Sequence, residues 1–396
     1  MTRLVLDVDT GIDDTLALCY LLASPEAELM GVVGTYGNVT ARDSVRNNHA
    51  VLRLFGREDI PVMLGCEAPS WSDLFEVDEG CARFHGSNGL GNVDPKDYLT
   101  DDDVAAVGAS RGNTDATHDA ALADTIDVTD AGDDLASSAR PSVAAFRTRL
   151  TKSVGGERVD VETTAESAAL ADAAAASREG AGVRFIVDAV RAYGRDVTIV
   201  ATGPLTDVDA AIRFAPDIVP NLRLVIMGGS LTQEGNCYDL ICETNIFQDP
   251  EAANRVFRSG ADVTMIGLDV THQCLMTRAD ADLWRATGTR RGAFLADMVR
   301  FYINANEASD PIFLAGSPLH DPLAAAVALD RALVGLFDVN MMTETATGNG
   351  HGFRGRTIGD PTRLRESRKT SHVALTVDAP CFTARFRDRL AGLCAA

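Results

Sequence analysis

The feature that most constrains this chain lies at its start. A short apolar run, Arg3 to Val8, breaks into Asp7-Val8-Asp9-Thr10-Gly11-Ile12-Asp13-Asp14, and the residues from Asp14 to Ala23 are then apolar at nearly every position. A Leu- and Val-rich run that stops at an Asp-Thr-Gly turn predicts a strand, and the unbroken apolar stretch after it predicts a buried helix. The alternation continues. Leu29 to Tyr36 reads as a strand, Thr40 to Phe55 as a helix with Thr40 as N-cap, and Ile60 to Leu64 as a strand. Farther on come a helix at Val183 to Tyr193, a strand at Val197 to Ala201, a helix from Leu205 and a strand at Leu222 to Met227. A helix at Pro250 to Arg258 and a strand at Val263 to Leu268 follow, then helices near Arg291 to Asn306 and Asp321 to Leu329, and finally strands and a last helix from about Phe382. Strands that alternate with helices imply an α/β fold, an open, mostly parallel wound sheet flanked by helices.

One stretch breaks the rhythm. Residues 94 to 179 hold 18 acidic and 8 basic residues, are rich in Ala, Ser, Thr and Gly, and show little sustained periodicity. Such a segment buries too little apolar surface to offset its ordering entropy, so it reads as an acidic, partly disordered insertion in a single catalytic domain spanning 1–396. Ser142 to Leu150 and Ala165 to Ala176 are the places in it where helices are expected.

Charge and cysteine usage narrow the function. A net charge of -21 argues against nucleic acid or an anionic membrane as partner, because both require a positive surface. No apolar segment reaches the roughly 18 residues of a membrane span, and no basic-then-apolar leader opens the chain, so a cytoplasmic protein is expected. Eight scattered cysteines without a C-x₂-C pair predict reduced thiols rather than zinc or a redox couple. Only three of the 36 basic residues are lysine, which together with the acidity suggests a halophilic source.

Four carboxylates within eight positions, Asp7, Asp9, Asp13 and Asp14, repel one another unless a cation neutralises them. Hard oxygen donors without Cys or clustered His favour Ca²⁺ or Mg²⁺ over zinc. In an open α/β sheet such a site sits beyond the carboxyl ends of the strands, where this loop falls. Asp13 and Asp14 also suit the first turn of a helix.

At these residues the sequence resembles the inosine-uridine-preferring nucleoside hydrolases. Beside the opening Asp-rich motif, Val33-Gly34-Thr35-Tyr36-Gly37-Asn38-Val39-Thr40 and His85-Gly86-Ser87-Asn88-Gly89-Leu90-Gly91 look like family loops. So do Ala201-Thr202-Gly203-Pro204-Leu205-Thr206-Asp207, the pair of stretches Met227-Gly228-Gly229 and Glu243-Thr244-Asn245, Asp249 to Ala253, and His320-Asp321-Pro322. The motifs keep family order and cover the chain outside 94–179. The resemblance implies hydrolysis of the N-glycosidic bond of a small ribonucleoside. It assigns Ca²⁺ to Asp9, Asp14, Asp321 and the Thr202 carbonyl, with Asp9 as general base and His320 as donor to the departing base. It assigns Asp13, Asn38 and Asn245 to the ribose hydroxyls, Asn236 and Glu243 to the 5′-hydroxyl, and His85 to the base, in a homodimer or homotetramer. Two departures stand out: the Asn236 to Glu243 spacing looks one residue long, and Asn306 replaces an aromatic leaving-group residue, with Tyr302 one turn earlier as a substitute. The remaining histidines read as structural, and Asp7 as support behind the ligands.

Two other readings fit parts of the pattern. Asp7-Val8-Asp9-Thr10-Gly11 also matches the nucleophile motif of a haloacid-dehalogenase-like phosphatase, although no lysine is placed to hold a phosphate. A non-catalytic ribose- or nucleoside-binding protein would keep the metal pocket but would have no use for His320.

Overall fold

The computed structural model describes residues 1–99, 180–237, 240–309, 316–347 and 353–396. In chain order its strands are β1 Thr2–Val8, β2 Ala27–Gly34, β3 Val62–Leu64, β4 Val197–Ala201, β5 Arg223–Met227 and β6 Asp262–Ile266. They continue with β7 Leu275–Met276, β8 Ser317–Pro318, β9 Val334–Val339, β10 Met341–Thr343, β11 Thr357–Gly359 and β12 Ser371–Val377. Eight of these form one sheet in the order β3-β2-β1-β4-β5-β6-β12-β9; its pairings are parallel except for β9, which runs antiparallel to β12. The expected mostly parallel wound sheet is therefore present.

β1 sits between β2 and β4, so successive strands run outward to one side and then to the other. The crevice at the carboxyl ends of β1 and β4 is thus the topological switch point, where an open α/β sheet binds its ligand. β1 can occupy the centre because both its faces are apolar. Leu4, Leu6 and Val8 enter one core with Leu16, Leu18, Phe294, Leu323 and Phe386, while Val5 enters the other with Val187, Val208 and Phe257. Helix Ile12–Leu22 is buried from Ile12 to Leu21, which accounts for its lack of a polar face.

The sequence boundaries hold closely. Thr40 caps helix Ala41–Leu54 by accepting the Asp43 N–H (3.2 Å). Two differ for local reasons. β6 ends at Ile266, because Gly267 starts a short helix, Leu268–Thr271. The expected insertion begins later than Asp94: Pro95–Tyr98 is a 3₁₀ turn capped by Asp94, Tyr98 donates to Asp297 (2.9 Å), and its ring meets Phe294 edge-on at 5.6 Å. The rest of that stretch, 100–179, with its two expected helices and His118, lies outside the described residues, as does His351. The eight cysteines are unbridged, and among the described residues no helix is long and apolar enough to cross a membrane.

Candidate active site

The loop after β1 lies at the switch point because β1 delivers it there. Asp7 pairs in register with Val33 on one side and Ala201 on the other, which places Asp9 to Asp14 beside the loop that opens at Thr202. The turn is strained: Thr10 has φ of 23°, a conformation a β-branched residue rarely adopts. Its hydroxyl is held there by Ser44 Oγ (2.7 Å) and by the Asn48 amide (2.8 Å). Gly37 shows how tightly the neighbouring loop closes in. Its φ is 155°, and a Cβ on it would come within 2.0 Å of Asp9 Oδ2.

The acids are gathered as a group. Asp9, Asp14 and Asp321 are almost fully buried, and oxygens of Asp13, Asp14 and Asp321 all lie within 4.8 Å of one another. Asp14 is the best satisfied, accepting from Gly11 N–H (2.7 Å), Thr202 Oγ1 (2.6 Å) and, at longer range, the Asn38 amide (3.4 Å). Asp9 accepts the Asn38 backbone N–H on Oδ2 (2.8 Å), but its buried Oδ1 has no partner, and neither has Oδ1 of Asp13. Burial, reinforced by neighbouring carboxylates, raises the Asp9 and Asp321 carboxyls well above the usual range. Burial likewise lifts Asp13 and Asp14 to about 6. Orphaned oxygens among acids that raise one another's carboxyls fit a cation held between them.

Asp7 lies behind this group, nearly fully buried, and its neighbour is Asp207; burial first and Asp207 second raise its carboxyl. That position, interior to the loop, is wrong for a phosphatase nucleophile. Asp207, in the Ala201 to Asp207 motif but without a role legible from it, accepts the Cys66 N–H on Oδ1 (2.6 Å).

The sugar-facing candidates are placed by short local bonds. Asn245 donates its amide to the Thr202 carbonyl (2.6 Å), fixing the carbonyl expected to face the cation and leaving it a second lone pair. Glu243 is the N-cap of helix Thr244–Gln248, accepting from Gly229 (2.9 Å), Asn245 (2.9 Å) and Ile246 (3.0 Å) N–H groups. Asn236 is exposed and joins the group through Thr244, whose N–H and hydroxyl it accepts at 3.0 and 3.1 Å. Glu243 and Asn236 thus also serve the start of this helix, a job their sequence motif did not reveal.

Two buried histidines complete the wall. His85 accepts the Ile12 N–H on Nδ1 (3.1 Å), so its proton resides on Nε2, and burial holds it down at about 4. Its 3.7 Å approach to Asp13 is accordingly not an ion pair. The Tyr302 ring lies 5.3 Å from His85 and its hydroxyl 3.4 Å from Asp13 Oδ2. Asn306 instead turns its amide to the Tyr302 carbonyl and Ser317 Oγ, both at 2.9 Å. His320 Nδ1 meets Thr271 Oγ1 at 2.8 Å, and burial lowers its basicity well below that of free imidazole. His272, read from sequence as merely structural, faces His320 with ring centroids 5.7 Å apart. It follows a four-residue helix visible only in the fold, so no sequence signal marked it.

A parallel sheet with a buried carboxylate cluster at its switch point, walled by two imidazoles that burial keeps neutral, has the make-up of a metal-dependent enzyme site. Comparison with known proteins narrows it. The family model described as inosine-uridine preferring nucleoside hydrolase matches residues 4–384, and the chain belongs to that family. It is 28% identical to a pyrimidine-specific ribonucleoside hydrolase (RihA) of Enterobacter sp. strain 638, over 98% of this chain and 97% of the relative. A purine-preferring ribonucleoside hydrolase from Gardnerella vaginalis superposes with a TM-score of 0.74 at 38% identity, covering 99% of both chains. A plant nucleoside hydrolase, PpNRh1, shares the fold with a TM-score of 0.70 at 24% identity, over 98% of this chain and 99% of that one. The chain is accordingly an enzyme, a nucleoside N-ribohydrolase.

Proposed function

We propose that the enzyme hydrolyses ribonucleosides to free base and ribose with Ca²⁺ held by Asp9, Asp14, Asp321 and the Thr202 carbonyl. The observation that carries this reading is the pair of buried, unpartnered oxygens, Asp9 Oδ1 and Asp13 Oδ1, in a cluster whose three closest carboxylates come from two distant parts of the chain. All donors are hard oxygens, which suits Ca²⁺ and leaves no role for a thiophilic ion. When bound, Ca²⁺ supplies charge compensation for the acids and Lewis acidity toward water and the ribose diol. Asp13, rather than Asp9, is the acid grouped with Asp14 and Asp321 within 4.8 Å, which supports a ribose-facing carboxylate beside the ligands.

The chain's own groups then perform the chemistry. Asp9 Oδ1, having no protein partner, accepts the proton of the attacking water. The water oxygen bonds to the anomeric carbon as the C–N bond breaks, and its electron pair leaves with the base. Positive charge that develops on the sugar ring is stabilised by the surrounding carboxylates Asp13, Asp14, Asp321 and Glu243. His320, braced by Thr271, offers an N–H to the departing base, and His85 presents its Nε2–H from the opposite loop. Asn38 and Asn245 orient the diol from the β2 and β5 sides. The pyrimidine-specific and the purine-preferring relatives differ in base preference, so base choice is left open and the ribose-reading half carries the assignment.

The test is base release from inosine, adenosine, guanosine, uridine and cytidine before and after chelation. Activity abolished by chelator and restored by Ca²⁺ supports the reading, whereas undiminished turnover in the chelated enzyme, or restoration by Zn²⁺ alone, rejects it.

A further inference from the structure

We propose that Arg356, outside every motif noted above, is a positioning residue that sets how the enzyme reads the 5′-hydroxyl end of its nucleoside. This rests on the reading that Asn236 and Glu243 face that end. Arg356 is half-buried just before β11, and its guanidinium donates to Ser230 Oγ (2.9 Å) and to the carbonyls of Leu231 (3.2 Å), Gln233 (3.1 Å) and Ile241 (2.7 Å). These acceptors lie on both stems of the loop: Ser230 to Gln233 lead into Asn236, and Ile241 stands two residues before Glu243. Nη1 is shared among Ser230, Gln233 and Ile241 and Nη2 reaches Leu231, so one planar cation joins the two stretches of chain that deliver both 5′-end residues.

The opposite side of the same turn is held by an anion. Asp269 accepts the N–H groups of Leu231 (2.9 Å), Thr232 (2.7 Å) and Gln233 (3.1 Å), and the Thr232 hydroxyl (2.6 Å). The turn's N–H groups thus face a carboxylate while its carbonyls face a guanidinium, so both of its dipole ends are fixed by charges from outside the loop. Thr357, next to Arg356, adds a reciprocal bond pair with Ser230, donating to its carbonyl (2.7 Å) and accepting its N–H (2.9 Å). Gly229, with φ of 75°, lets the chain pass beneath Thr357, where a Cβ would come within 2.9 Å. Asp269 shares helix Leu268–Thr271 with Thr271, the partner of His320, so the loop and the leaving-group histidine lean on one support. The residues that this single cation holds, Ser230, Leu231, Gln233 and Ile241, flank on both sides the two assigned to the substrate, Asn236 and Glu243.

The experiment compares a ribonucleoside with its 5′-deoxy counterpart in the Ca²⁺-loaded wild-type enzyme and in the Arg356→Ala, Arg356→Lys and Asn236→Ala variants. The wild type is expected to favour the 5′-hydroxyl substrate by about tenfold in kcat/KM, the worth of one or two hydrogen bonds. Arg356→Ala is expected to bring that ratio to about one through KM, with kcat/KM on the 5′-deoxy substrate within about threefold of wild type, and Arg356→Lys to keep part of the ratio. Equal losses on both substrates, an unchanged ratio in Arg356→Ala and Arg356→Lys, or no preference in the wild type overturns the inference. Asn236→Ala separates the two levels. If it abolishes the ratio while the arginine variants keep it, the clamp falls and the 5′-end assignment stands; if the arginine variants alone abolish it, the clamp stands and Asn236 loses its assignment.

Discussion

Asp209 and Asp9 are equally buried aspartates within one compact unit, and they have been treated in opposite ways. Asp209, in helix Thr206–Phe214, receives Arg213 Nε (2.9 Å) and two bonds from Arg255 (2.8 and 2.7 Å), so its charge is matched within the protein. Asp9 stands with Asp13, Asp14 and Asp321, and among the described residues no lysine or arginine is paired with any of the four. A fold that can place arginines on an interior carboxylate has left its switch point without any. Matched charge is structure; unmatched charge in the interior is an affinity for something outside the chain.

The comparison breaks most sharply by substitution. Asp14→Ala is expected to lower kcat/KM for its best nucleoside by at least about 1000-fold, while Asp209→Asn should leave it within about threefold. Comparable losses in both variants would dissolve the distinction. The roles should reverse in stability. Asp209→Asn leaves two half-exposed guanidinium groups without their carboxylate, costing about 2 kcal/mol in urea unfolding. A cost no greater than that of an ordinary surface substitution would show that the pairing contributes little.

The next effect is one of pH. Asp13 and Asp14 titrate at about 6 in the fold against a usual value of 3.8, so between these pH values the folded chain binds more protons than the unfolded one. The metal-free enzyme should therefore lose stability as pH rises from about 4 to about 6, by on the order of 2 kcal/mol, and Ca²⁺ should flatten the slope. Urea midpoints taken across this window with and without Ca²⁺ would show it; a metal-free stability that rises with pH would contradict it. The smallest effect has the opposite sign and lies at the far end of the sheet. His372 is raised by its bonds to Asp262 (3.3 Å) and Asp338 (2.6 Å), with Arg195 also on Asp262. Its contribution is complete below about pH 6.5 and is lost as pH rises through the raised folded value. For this half-exposed group, His372→Gln should cost about 0.5 kcal/mol at pH 5.5 and nothing measurable at pH 9.

Much of this was legible because it depends on neighbours in sequence. β1, its acidic loop and the buried helix after it are local consequences of apolar runs and an Asp-Thr-Gly turn, and the Thr40 cap followed from a hydroxyl before a helical pattern. What was hidden depends on residues far apart in the chain. Tyr302 and Asn306 stand one turn apart, yet the first faces His85 and Asp13 while the second bonds Ser317, a choice made by helix packing. His272 becomes part of the wall only because Gly267 ends β6 and turns the chain. Pro95 to Tyr98 carried the composition of the acidic stretch but folds onto Phe294, since one aromatic ring with an accepting Asp297 outweighs local polarity.

The sequence by itself determined that a parallel sheet would carry an aspartate-rich loop at the carboxyl end of its first strand, because strand, turn and helix propensities act over a few residues. It also determined the family, since the motifs stand in order along the chain. Only the tertiary structure decided that Asp321 joins Asp13 and Asp14 within 4.8 Å, that Asp9 Oδ1 and Asp13 Oδ1 are left without partners, and that Arg356 reaches the loop of Asn236. Charge matching is a property of three-dimensional proximity in a low-dielectric interior, and no spacing along a chain encodes which oxygen will be left unpaired.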